Sequence, residues 1–158
     1  MKSQVRPTTS KVLESLVATL GPYWCGARVL DLFAGSGTLG KAALAQGAGQ
    51  VVMVEGDPSV AAPLRRLKPA RVVQGRLPAI LRRLDPPFDL ILGDPPYGSA
   101  EGLQTFQAVA GWLTAEGWLV WEHHHKDPYP DQVGPLLLER RRRFGETALS
   151  YYRPQGLA

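Results

Sequence analysis

The chain has 158 residues, a 44% hydrophobic share and a net charge of +4 from 18 basic and 14 acidic side chains. That length suits one domain around one core, and no apolar run approaches the ~20 residues of a membrane helix. The single cysteine, Cys25, excludes an intramolecular disulfide and argues against a zinc cluster, the basic balance favours a polyanionic partner, and the polar start around Lys2, Arg6 and Lys11 is no signal peptide, so a cytoplasmic setting is expected.

From the N-terminus, Val12, Leu13, Leu16, Val17 and Leu20 recur on one face and predict a helix from about Thr9 to Leu20, with Thr8 or Thr9 as its cap. Short apolar runs then predict strands near 28–33, 50–55, 71–74, 88–93 and 117–122. Helical stretches are expected near 37–47, 58–67, 77–84 and 100–114. Strand and helix alternating at this spacing imply an α/β fold with a parallel sheet and helices on both faces. The end differs: Leu136 to Phe144, a Gly145-Glu146 turn and Thr147 to Arg153 predict an antiparallel hairpin. No repeat or linker divides the chain, so residues 1–158 are expected to form a single domain.

Three segments carry chemistry. The strand Arg28 to Phe33 runs into Ala34-Gly35-Ser36-Gly37-Thr38-Leu39-Gly40, where glycines let a ligand approach the backbone and open a helix N-terminus toward it. The spacing of Gly35, Gly37 and Gly40 also satisfies the dinucleotide fingerprint, so the loop alone is a weak signal. Asp31 argues against that alternative, because it repels a pyrophosphate and suits the ammonium of an amino-acid cofactor. Glu55 ends the next strand, where a carboxylate can accept both ribose hydroxyls of a nucleoside. Asp94-Pro95-Pro96-Tyr97 follows the strand Phe88 to Gly93. Its prolines contribute no N–H, so the turn offers acceptors to a planar amine, and Tyr97 adds a stacking face. All three segments fall at carboxyl ends of strands, where open α/β sheets bind ligands.

Asp31 to Gly37, Glu55 and Asp94 to Tyr97 resemble the cofactor and target-amine motifs of Rossmann-like amino methyltransferases. With Arg6-Pro7-Thr8-Thr9 and Phe144 to Tyr152, the chain resembles the bacterial 16S rRNA guanine-N2 methyltransferase family from about residue 6 to residue 153. The resemblance implies a class I fold with a mostly parallel seven-stranded sheet closed by the hairpin. It implies S-adenosylmethionine as cofactor, held by Asp31, Phe33, Ala34, Gly35, Ser36, Gly37, Glu55 and Gly56. The amine clamp and catalytic set would be Asp94, Pro95, Pro96 and Tyr97, with no metal. The implied partner is 16S rRNA, free or within a small-subunit assembly intermediate, with no membrane association. Two other readings stay open: an amino methyltransferase for DNA adenine, DNA cytosine or protein glutamine, and a non-catalytic RNA-binding subunit that retains the fold.

Two departures from the family pattern stand out. Related enzymes commonly hold the adenine amino group with an acid after the third strand, but here that stretch is Val72-Val73-Gln74-Gly75-Arg76-Leu77, and Arg76 cannot accept a hydrogen bond. Family members also usually carry a basic, glycine-containing extension before the Arg6 segment, which implies a trimmed chain or a reduced RNA grip here. Among the remaining features, His123-His124-His125 is expected to be a solvated strand end, since neighbouring strand residues face opposite ways. Trp112, Trp118 and Trp121 are expected to be packing residues. The Glu139 to Arg143 run is balanced between a phosphate-binding stripe and a charge-protected sheet edge.

Overall fold

In the computed structural model, which describes residues 9–156, one eight-stranded sheet runs through the molecule in the order β3-β2-β1-β4-β5-β8-β7-β6. Strands β1 (Arg28–Leu32), β2 (Gln50–Glu55), β3 (Arg71–Gln74), β4 (Phe88–Gly93) and β5 (Leu113–His124) are parallel. Strands β6 (Gln132–Val133), β7 (Leu136–Phe144) and β8 (Thr147–Pro154) are antiparallel additions. The order reverses between β1 and β4, so the carboxyl ends of those two strands flank the crevice where such sheets take ligands.

Side chains alternate along the strands into two separate apolar layers. One packs Val29, Met53, Leu90, Leu92, Val120 and Tyr151 under α1 (Ser10–Leu20) and α2 (Thr38–Ala45). The other packs Leu30, Leu32, Ile91, Leu119, Trp121 and Tyr152 against Phe106 of α4 (Ala100–Ala108) and Leu81 of a 3-10 turn, Ala79–Arg83. A period of two with both faces apolar is what makes β1 and β4 read as unbroken hydrophobic runs. On α1, Val12, Leu16 and Leu20 are buried, and Thr9 caps it by accepting from the Val12 N–H at 3.3 Å. Arg6, Pro7 and Thr8 lie outside the described residues.

The sheet corrects the expected strand count from seven to eight. The extra strand, β6, is two residues long and forms because Gly134, with φ of 52°, turns Val133 back onto Leu136. No periodicity can be read from two residues. The helix expected over 100–114 ends at Ala108, and β5 starts at Leu113 rather than residue 117. Leu113 pairs with Phe88, a register shift follows, and the Thr114 hydroxyl donates to Asp89 Oδ1 at 3.1 Å. These contacts with β4 override the helical spacing. The stretch near 58–67 is helical only over Pro58–Leu64 (α3), and 77–84 holds the 3-10 turn rather than an α-helix. Among the described residues, no helix is long and apolar enough to cross a membrane.

Gly93 shows how tightly the central strands are packed. A Cβ there would run into the indole ring of Trp121, which is itself fully buried. Gly93→Ala is expected to lower stability by about 1–3 kcal/mol, the usual cost of overpacking a core. Urea denaturation measures it, and an unchanged midpoint would contradict this packing.

Candidate active site

The site is assembled from three loops at the carboxyl ends of β1, β2 and β4. Leaving β1, the chain turns sharply: Phe33 has φ of 61°, Gly35 58° and Gly37 84°. A non-glycine residue in this region costs on the order of 1–3 kcal/mol and is held only where its surroundings demand it. Phe33 is held by its ring, which packs edge-on to Trp121 at 6.3 Å. Gly37 is required for a second reason, since a Cβ there would lie 2.8 Å from Leu64 Cδ2.

Hydrogen bonds tie the three loops together. Ala34 N–H donates to the Val54 carbonyl, and Asp94 N–H donates to the Leu32 carbonyl at 3.3 Å. Glu55 accepts from Gly35 N–H through Oε1 at 2.8 Å and from Asp57 N–H through Oε2 at 3.1 Å. Its carboxylate thus pins the glycine loop to β2. A carboxylate has about four acceptor positions, so two main-chain bonds leave capacity for further donors. Ser36 and Thr38 share a hydroxyl hydrogen bond at 3.1 Å, and Gly56 lies exposed beside the loop.

Asp31 has a role the sequence did not suggest. Gly37, the N-cap of α2, has no side chain to cap with, and Asp31 does the work from β1: its Oδ2 accepts from Gly40 N–H at 3.0 Å. Gly40 is needed for this approach, because a Cβ would meet Met53 and come within 3.2 Å of Asp31 Oδ2. Asp31 is fully buried, and among the described residues its Oδ1 has no hydrogen-bond partner. Burial pushes its carboxyl up to about 7; the Gly40 N–H opposes this, and the Glu55 charge adds to it.

The Asp94-Pro95-Pro96-Tyr97 turn is braced on both sides. Pro95 is buried, and Gly102 of α4 packs so close that a Cβ would lie 2.7 Å from the Pro95 ring. The Pro96 carbonyl accepts from Ser99 N–H, and the Ser99 hydroxyl caps α4 through Gly102 N–H at 2.9 Å. The Tyr97 hydroxyl is hydrogen-bonded to the Thr147 hydroxyl, and its ring meets His124 edge-on at 5.0 Å. Asp127 accepts from both Gly98 N–H and His124 N–H, joining the turn to the end of β5.

Thr147, Asp127 and His124 were missed because strand pairing, not proximity in the chain, delivers them. Glu101 was missed likewise: Arg76, after β3, donates from Nε to Glu101 Oε2 at 3.0 Å across a cleft of about 400 Å³ that Pro96, Tyr97 and Ser99 also line.

The histidine run is corrected in part. His123 is buried, with Nε2 2.7 Å from the Ser150 hydroxyl, and burial above all lowers its pKa. It belongs to the core, while His124 and His125 stack on each other at the strand end. Among the described residues, no group of three or more His, Cys, Asp or Glu side chains is placed to hold a metal. Trp121 is core, and Trp118 packs beneath the Arg153 guanidinium, 4.4 Å from its ring centre.

Comparison with known proteins gives a consistent result. The family profile described as "Conserved hypothetical protein 95" matches residues 1–153. The ribosomal RNA small subunit methyltransferase D of Escherichia coli (strain K12) is 32% identical over 156 residues, covering 94% of this chain and 79% of that protein. The solved structure of yhhF from Escherichia coli matches with a TM-score of 0.84 and 31% identity over 96% of this chain and 88% of its own. The Thermus thermophilus 16S rRNA N2 methyltransferase RsmC, solved with AdoMet and guanosine, matches in fold alone: TM-score 0.79, 22% identity, 96% of this chain and 44% of that one.

Proposed function

The chain belongs to the family described as conserved hypothetical protein 95, and from that premise we propose that it transfers a methyl group from S-adenosylmethionine to the exocyclic N2 amine of a guanine in small-subunit rRNA. The observation that carries this reading is the junction of the two loops: the Asp94 N–H bonds to the Leu32 carbonyl, so the Asp94-Pro95-Pro96-Tyr97 turn lies beside the glycine loop that Glu55 pins. The name of the Escherichia coli relative supports rRNA as substrate, and the guanosine complex with the same fold supports the base.

The residues present fit the cofactor. Glu55 has acceptor capacity for ribose hydroxyls, Gly35 and Gly37 leave the loop without side chains, and the unpartnered Asp31 Oδ1 is the acceptor for an ammonium, directly or through one water. The missing acid after β3 is replaced from α4, with Glu101 oriented by Arg76 as the carboxylate for the adenine amine. When bound, the cofactor supplies a methyl already activated on a sulfonium.

The protein's task is then alignment, which contributes roughly 7–11 kcal/mol in well-oriented reactions. The Asp94 carboxylate and the Pro95 carbonyl accept the two N–H bonds of the guanine amine, since Ser99 already occupies the Pro96 carbonyl. The Asp94 charge and the Pro95 carbonyl dipole meet the positive charge developing on nitrogen, and Asp94 takes the proton afterwards. Tyr97, anchored through its hydroxyl to Thr147, holds a fixed ring for the base to stack on.

The test is methyl transfer from labelled S-adenosylmethionine to unmodified small-subunit rRNA, free and in assembly intermediates, with nucleoside mass analysis. N2-methylguanosine is expected. Label appearing only on DNA or a glutamine peptide would overturn the substrate. Cofactor binding with no transfer to any of them would favour a non-catalytic subunit.

A further inference from the structure

We propose that the groove between α1 and β7 is the track that holds the phosphate backbone of the substrate RNA beside the modified nucleotide, a proposal that rests on the rRNA reading above. The groove has a volume of about 530 Å³ and is lined by Lys11, Ser15 and Thr19 of α1 and by Arg142, Arg143 and Phe144 of β7. Cations arriving from two elements on one channel, Lys11 from α1 and Arg142 from β7, match a chain of phosphates. Lys11 and Arg142 are exposed, so neither charge is spent inside the fold.

The arginine run divides by strand alternation. Arg141 turns to the layer opposite α1, where Nε donates to the Ser150 hydroxyl at 2.7 Å and a second nitrogen to the Tyr129 carbonyl at 3.1 Å. Arg140 and Arg142 lie instead beside Tyr151, whose ring belongs to the layer under α1, and their charges act on its hydroxyl. Edge protection alone does not explain this arrangement. Strand β6 covers β7 only at Leu136 and Leu137, so charges anywhere along the remainder would block edge pairing. Lys11, on a helix, has no part in such protection.

Position supplies the link to chemistry. Phe144 in the groove pairs with Thr147, and Thr147 holds the Tyr97 hydroxyl. The groove therefore opens at the same end of the sheet as the clamp, one strand pairing away from Tyr97. A nucleotide turned into the clamp leaves its neighbouring phosphates beside Arg142, while Arg143 Nε is held by the Gly145 carbonyl at 2.7 Å. Two acids stand nearby: Glu14 in the groove wall, and Glu146 at the hairpin turn, 3.9 Å from His124 Nε2.

Binding of a labelled 16S rRNA fragment, followed by fluorescence anisotropy over a range of salt, tests the assignment without depending on turnover. The double variant Lys11→Ala, Arg142→Ala is expected to weaken binding about tenfold and to reduce the slope of log K against log salt by about 1.4, two contacts at ~0.7 each for a single strand. Glu14→Gln is expected to tighten binding about threefold, a gain that a folding defect cannot imitate. S-adenosylmethionine affinity and kcat at saturating RNA stay unchanged in both. Unchanged RNA affinity and salt slope in the two variants, or a wild type that does not bind RNA, would overturn the proposal. Methylation of rRNA with variants indistinguishable from wild type refutes the groove and leaves the reaction standing. The expected binding shifts without methyl transfer refute the reaction and leave the groove.

Discussion

Asp94→Ala is expected to reduce kcat at least ~100-fold while leaving S-adenosylmethionine affinity within about twofold, because the clamp acts on the amine and not on the cofactor. The backbone makes the experiment clean. Asp94 is anchored by its own N–H to the Leu32 carbonyl, Pro95 is packed on Gly102, and Tyr97 is tied to Thr147, three contacts that do not pass through the carboxylate. Asp94→Asn retains an acceptor oxygen but no charge, and its loss of turnover should fall between wild type and alanine. Single-turnover methyl transfer paired with calorimetric cofactor titration reads both quantities. Equal losses of turnover and cofactor affinity would show that Asp94 organises the whole crevice rather than the amine.

The second large effect is expected at Asp31, with opposite signs for stability and binding. Its carboxyl titrates near 7 in the folded chain, through burial first, against 3.8 ordinarily. Between about pH 4 and pH 7 the folded protein keeps a proton that the unfolded chain releases, so stability falls as pH rises through that window. Above it the wild type carries the whole cost, about 4 kcal/mol for three units. Asp31→Asn removes the charge and keeps an oxygen for Gly40 N–H, but buries an amide N–H₂ at about 1–3 kcal/mol. The variant is therefore expected to be more stable than wild type at pH 8 by about 1–3 kcal/mol and to lose that advantage near pH 4. Cofactor affinity should move the other way, weakening at least about tenfold at pH 8, where the wild-type carboxylate meets the ammonium. Denaturation at the two pH values and calorimetry at pH 8 separate the roles. A variant less stable at both pH values, or one with unchanged cofactor affinity, would refute this account of Asp31.

The position of Asp31 in the chain explains why its capping role left no trace in the sequence. In one dimension it stands nine residues from Gly40, with a flexible-looking glycine loop between. Only the positive-φ turn at Phe33, Gly35 and Gly37 folds that loop back and sets the carboxylate under the first turn of α2. A strand residue capping the following helix leaves no local signature, unlike the cap of α1, which the apolar period put at Thr8 or Thr9 and the structure shows at Thr9.

What the sequence determined by itself was local in origin. Apolar runs of five or six residues gave β1, β2 and β4, whose ends match expectation to within a residue, because strands buried on both faces need unbroken hydrophobic stretches. The hairpin around Gly145-Glu146 and the placement of Asp31, Glu55 and Asp94 at strand ends were legible for the same reason: turn chemistry and periodicity act over a few residues. Tertiary structure decided everything that depends on which strands become neighbours. Pairing of β5 with β4 ended α4 early and lengthened β5 to Leu113. Pairing of β8 between β5 and β7 brought Thr147 to Tyr97, buried His123 on Ser150 and parted Arg141 from Arg142. Such contacts join residues tens of positions apart, and their energies exist only once the chain has closed on itself, so no window of the sequence contains them.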